Sequence, residues 1–172
     1  MDEAFGSRRD RLLAQIDEST SRLRARLDSA TADEARAVPE SGGWTGAQVV
    51  SHVAGFNRLL AGVVSGAVPA ATAPAAGFVA RPWPEILASL NQRFEAPRQL
   101  QPPDAVTREE ALAALDAASG ALRDAFASMT DERAEMTMTH PRVGTITLSQ
   151  VGDWVVAHTI RHNAQLKRVL GR

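Results

Sequence analysis

Apolar residues along this chain recur every three or four positions, the spacing of one helix face, with charge on the opposite side. The first stripe is Leu12, Leu13, Ile16, Leu23 and Leu27, which predicts a helix from near Ser7 to about Asp28. Thr31 and Glu34 then read as a capping box on a short turn, Thr31 to Arg36, followed by a loop at Pro39, Ser41, Gly42 and Gly43. Three later helix starts share one signature: Trp44-Thr45-x-x-Gln48-Val49, Val106-Thr107-x-x-Glu110-Ala111 and Ile146-Thr147-x-x-Gln150-Val151. Each has a threonine cap, Glu or Gln three residues on, and an apolar residue before the cap that can staple to the fourth helical position. They predict helices at about 46–65, 108–129 and 148–170, the last stopped by Gly171.

With the first helix these make four, the number that closes a bundle. The expected fold is all-α: a four-helix bundle with one additional short helix and long loops, a single domain over residues 1–172. Residues 66–83, with Gly66, Pro69, Pro74, Gly77 and Pro82 among alanines, predict a long mobile connection. A connection of that length in a compact domain often serves as a lid or part of a binding site. Pro84 opens the short helix, with Ile86, Leu87, Leu90 and Phe94 facing inward and a stop before Pro97. Residues 135–146 alternate weakly around His140-Pro141 and read as a small hairpin or an irregular loop.

Composition narrows the classes. The chain has 172 residues, enough for one well-buried core and short for two. There is no cysteine, which excludes disulfides, thiolate metal sites and a cysteine nucleophile. The polar start, Met1 to Gly6, lacks the apolar core of a secretory signal, and no stretch reaches 18 apolar residues. No membrane association is expected, and the expected location is cytoplasmic. The net charge is −1, and the nearest approach to a basic patch, Arg22, Arg24 and Arg26, is balanced by Asp17, Glu18 and Asp28. Nucleic acid is not expected as a partner, because phosphate binding needs a concentrated basic face.

The chemistry lies in the histidines. His158 and His162 are four apart on the last predicted helix, so their imidazoles project from one face and can share a metal. They continue the stripe Val151, Val155, Leu166 and Val169. His52 sits beside the stripe Val49, Val53, Phe56, Leu60 and Val63 on the second long helix. Three inward imidazoles would repel one another when protonated, and each needs a partner when buried and neutral. A divalent ion at His52, His158 and His162 answers both requirements; the alternative is three core histidines satisfied by hydrogen bonds. His140 is read as a loop residue and a minor candidate for substrate contact. The H-E-x-x-H motif is absent, since the helix reads His158-Thr159-Ile160-Arg161-His162, and no nucleotide-binding or α/β-hydrolase motif is present. Arg161 and Asn163 flank the histidines and point elsewhere on the helix.

The stretch Gly43-Trp44-Thr45-Gly46-Ala47-Gln48-Val49-Val50-Ser51-His52-Val53 resembles a signature of the DinB-like, or YfiT-like, helical-bundle superfamily. Gly144 to Leu148, leading to His158-x-x-x-His162-x-x-Gln165-Leu166, is similar to its second signature. The resemblance covers most of the chain. It implies a bundle in up-down-down-up order, often a homodimer, with zinc or nickel held by three histidines at one end. Carried over, the ligands are His52, His158 and His162. Relatives act on small-molecule substrates as S-transferases and isomerases that use a low-molecular-weight thiol such as bacillithiol or mycothiol, or are called metal-dependent hydrolases. Many carry an acid in the turns after the first histidine; here those turns carry Asn57 and the predicted helix 46–65 holds no acid.

Three neutral imidazoles leave a metal's charge undiminished and a coordination position open, as in catalytic sites. Such a site activates water for hydrolysis or binds a thiol as thiolate for transfer to an electrophile. Zinc is favoured by availability and nickel is compatible with the ligand type. A non-enzymatic stress-response bundle with a structural metal is the remaining class.

Overall fold

A computed structural model describes residues 5–90 and 95–171. Four long helices dominate it: α1 (Phe5–Asp28), α3 (Gly46–Ser65), α5 (Arg108–Ala127) and α7 (Leu148–Val169). Between them run the short helices α2 (Ala32–Arg36), α4 (Trp83–Leu90) and α6 (Asp131–Glu135), a 3-10 turn at Arg98–Leu100, and strands β1 (Thr137–His140) and β2 (Gly144–Thr147).

The helix starts follow the local code. Thr31, Thr45, Thr107 and Thr147 each accept a hydrogen bond from the backbone N–H three residues on, and the side-chain oxygens of Glu34, Gln48, Glu110 and Gln150 accept one from the cap's backbone N–H. Such a cap contributes about 1 kcal/mol. The helix ends differ from the sequence reading by a residue or two, as frayed ends do. α1 is already helical at Phe5, the first described residue, two before the expected start at Ser7; Phe5 packs its ring on Phe126 and Gly6 N donates to Asp131 Oδ1 at 2.7 Å.

Cross-helix pairs fix the topology. Arg8 pairs with Asp153 and Arg26 with Asn163, so α1 and α7 run parallel. Asp17 pairs with Arg123 and Arg24 with Asp116, so α1 and α5 run antiparallel. Gly46 lies against Leu166 and Leu170 while Phe56 meets Trp154, so α3 opposes α7. The order is up, down, down, up. Each fully buried Leu, Ile or Phe on these stripes contributes about 1.5–3 kcal/mol, so the four faces supply most of the stability.

The connections depart more from the expectation. Residues 66–83 are pinned rather than loose: Thr72 and Thr137 exchange two backbone hydrogen bonds of 2.8 Å, and Arg81 donates to the carbonyl of Val143. The sequence gives no sign of this, because a single strand bridge needs no apolar alternation. On α4, Ile86 is buried but Leu87 is 38% exposed, so only one side of this short helix packs inward. Phe94 lies outside the described residues. The stretch around His140 is a hairpin, paired Thr137↔Thr147 to His140↔Gly144, that leads straight into the cap of α7. Among the described residues no helix is long and apolar enough to cross a membrane.

Candidate metal centre

Thr45 starts α3 with its capping box, which sets His52 in the second turn, facing α7. Gln48 closes that box and also donates to the carbonyls of Pro103 and Asp104 at 3.0 and 3.1 Å. This holds the segment after α4 against α3. From that segment the carbonyl of Leu100 meets His52 Nδ1 at 2.7 Å. A carbonyl only accepts, so Nδ1 carries the proton and Nε2 presents its lone pair.

The opposite wall is α7. His158 Nε2 lies 3.2 Å from His52 Nε2. His162 turns Nδ1 to Gln165 Oε1 at 2.8 Å, which leaves its Nε2 free. One ligand nitrogen from each of the three residues falls within 4.8 Å of the others. Nitrogens about 2.0–2.1 Å from a tetrahedral zinc stand about 3.3 Å apart, so the His52–His158 spacing already suits one edge of such a site. His52 and His162 are buried.

Aromatic rings frame the cluster. Trp44 lies 4.8 Å from the His52 ring and Phe56 stacks on His158 at 3.9 Å. Trp154 meets Phe56 at 5.2 Å and His140 at 5.0 Å. His140 is therefore the last residue of β1, packed on Trp154, and not a loop residue; the structure keeps it apart from the three-histidine cluster. The cluster also sits between Trp154 and Leu166 along α7, with apolar packing on both sides rather than at the end of the bundle.

Burial sets the electrostatics. It pushes His162 down to about 4, with His52 adding and Gln165 opposing. Burial likewise holds His158 well below the ordinary histidine range, helped by His162 and His52. His52 is lowered by burial against the raising effect of the Leu100 carbonyl. All three are neutral at pH 7, the form that ligates a metal. Arg161 donates to the carbonyl of Leu90 at 2.7 Å and Asn163 accepts from Arg26 at 3.0 Å, so both point away from the cluster as expected.

Sequence reasoning brought the three histidines together but missed what holds them. The Leu100 carbonyl is backbone and leaves no mark in the residue pattern. Gln165 three residues after His162 was legible as a helix neighbour. Asn57 is fully buried, and neither polar atom of its amide has a partner among the described residues.

No curated protein matches the chain in sequence. In fold it is similar to YfiT from Bacillus subtilis, described as a probable metal-dependent hydrolase with an unusual four-helix bundle topology. The two share 19% identity at a TM-score of 0.56, over 96% of this chain and 89% of that one. The family model of the DinB superfamily matches residues 15–166, which span all of α3 and α5, most of α1 and α7, and all three histidines. The chain belongs to the DinB superfamily.

Proposed function

We propose that the protein is a metal-dependent enzyme that activates a small nucleophile at His52, His158 and His162 for attack on a small electrophilic substrate. The observation that carries this is the facing pair of Nε2 atoms at 3.2 Å with a third imidazole beside them. His52 must carry its proton on Nδ1, so its Nε2 is a bare lone pair directed at His158. Three inward ring nitrogens within 4.8 Å of one another are the donor set a divalent cation takes, and burial keeps the rings neutral and able to ligate it. Zinc suits the donor set best and nickel is the alternative.

When bound, the ion supplies Lewis acidity that lowers the pKa of a thiol or water at its open position. The residues do the rest. Leu100 and Gln165 fix the ring orientations, and Phe56, Trp44 and Trp154 keep bulk water away. Among the described residues the one cluster of three or more possible ligands is these histidines, with no carboxylate in it. A thiol needs no carboxylate base once it binds as thiolate, which favours thiol-dependent S-transfer with a low-molecular-weight thiol. Hydrolysis is the second reading, and the description of YfiT supports it. A homodimer belongs to the same proposal, by the family resemblance.

The test uses protein purified without a polyhistidine tag, metal analysis, and a panel of low-molecular-weight thiols with a chromogenic electrophile. Metal near one per chain, and thiol consumption abolished by chelator and restored by zinc or nickel, support the proposal. Metal-free protein with no uptake of added zinc or nickel overturns it. Chelator-sensitive turnover of ester or amide probes without thiol selects hydrolysis.

A further inference from the structure

The apolar interior of the bundle is in two pieces. On α1 the break falls between Ile16 and Leu23, on α3 at Ala54 and Phe56, on α5 between Ala118 and Leu122, and on α7 between Val155 and Leu166. Each break falls in the interior of its helix, away from both ends. The pairs Asp17–Arg123 and Arg24–Asp116 bracket Thr20 on α1 and Ser119 on the antiparallel α5. The pairs Arg8–Asp153 and Arg26–Asn163 set the same part of α1 beside the turn of α7 that follows His158. Phe56 stacks on His158, so the next residue, Asn57, shares that level.

The unsatisfied polar atoms fall in or beside these breaks. Among the described residues, the buried side-chain N and O atoms without a hydrogen-bond partner are Thr20 Oγ1, both amide atoms of Asn57, Ser119 Oγ and His158 Nδ1. Isolated orphans of this kind are costly, and native interiors satisfy them with ordered water that makes about three hydrogen bonds each. Asn57 is fully buried, in a helix whose other buried residues, Gly46 and His52 apart, are Val, Leu, Ala and Phe.

The same level supplies what the metal centre lacks. Histidine ligands almost always donate the second ring N–H to an outer partner, which fixes the tautomer. His52 has Leu100 and His162 has Gln165, whereas Nδ1 of His158 has no partner among the described residues. We propose that this level is a built hydration site: ordered water bound by Asn57, Thr20 and Ser119, linked to Nδ1 of His158. Asn57 is then a positioning residue for that imidazole. Nδ1–H donates to water, water donates to Asn57 Oδ1, and the Asn57 NH₂ donates onward toward the hydroxyls. This chain keeps the proton on Nδ1 and leaves Nε2 free, the tautomer the other two histidines hold. The link to His158 rests on the proposed metal site; the water does not.

A high-resolution crystal structure is the direct test. Water density within hydrogen-bond distance of both the Asn57 amide and His158 Nδ1 is expected. Side chains bonded directly to one another, with no solvent density between the two apolar halves, overturn the proposal. The positioning role is read from zinc affinity of the metal-free protein by competition with a chelating dye. Asn57→Leu is expected to weaken zinc by about tenfold or more, with Asn57→Ser recovering most of the loss by seating a further water. Ser119→Ala, a milder change, gives the same direction if Asn57→Leu fails to fold. Unchanged zinc affinity in the folded variants overturns the positioning role. If the wild type takes up no zinc, the metal reading fails while the density alone decides the hydration site.

Discussion

His52 and His158, on helices that run in opposite directions, meet Nε2 to Nε2 at 3.2 Å. They are 106 residues apart in sequence, and neither ring reaches the other's helix without the antiparallel packing of α3 on α7. His162, one turn beyond His158, completes the cluster, whereas His140 stands off it behind Trp154.

That relationship sets the ligand variants apart. His52→Ala, His158→Ala and His162→Ala are each expected to weaken zinc by more than about 100-fold, the upper end for losing even an outer partner of a ligand. His140→Ala is expected to keep stoichiometric metal. Metal analysis after dialysis and circular dichroism for the fold decide it. A His162→Ala protein that holds one metal per chain would refute the ligand assignment.

Acid is expected to destabilise the metal-free protein. His162 is held at about 4 in the fold against about 6.5 unfolded. Between those values the unfolded chain takes up a proton the native chain refuses, so stability is complete above about 6.5 and falls as pH drops toward 4. From His162 alone the loss is about 2 kcal/mol by pH 5, and His52 and His158, also lowered, add in the same direction. Urea titrations at pH 7 and pH 5 measure it, and His162→Gln is expected to flatten the slope. Equal midpoints at the two pH values for the wild type would count against neutral buried imidazoles.

Gly152 on α7 packs directly against Leu12 of α1. A Cβ there would stand 2.5 Å from Leu12 Cδ2 and 3.0 Å from its Cδ1. Leu12 is buried, so its whole isobutyl group would have to shift. Gly152→Ala is expected to cost about 1–2 kcal/mol, overpacking outweighing the gain in helix propensity. The double variant Leu12→Ala/Gly152→Ala is expected to lose less than the sum of the single losses, because the smaller residue 12 makes room. Additive losses in thermal unfolding would show that no such contact exists.

The cap of α3 is expected to act on the site as well as on the helix. Thr45→Ala removes the bond to Gln48 N and frees Gln48, which also anchors the segment that presents Leu100 to His52. A stability loss of about 1 kcal/mol and a measurable weakening of zinc are expected. The comparison is Thr107→Ala, an equivalent cap on α5 that touches no histidine. Equal zinc affinity in the two variants would separate the cap from the site.

The number of long helices, their starts and their buried faces follow from residues three and four apart, because helix caps and stripes are local physics. The pairing of His158 with His162 is local in the same way, and His52 beside an apolar stripe already predicts an inward imidazole. What is not local is decided by packing. The parallel run of α1 and α7 rests on pairs such as Arg8–Asp153, which join residues far apart in sequence. Thr72 is tied to Thr137 by backbone bonds that any residue but proline could make. The Leu100 carbonyl that sets the tautomer of His52 has no side-chain signature. Asn57 reads in sequence as one polar residue on an apolar helix. Only the stacking of four helices brings it level with Thr20, Ser119 and His158, because that register depends on how the helix faces interlock.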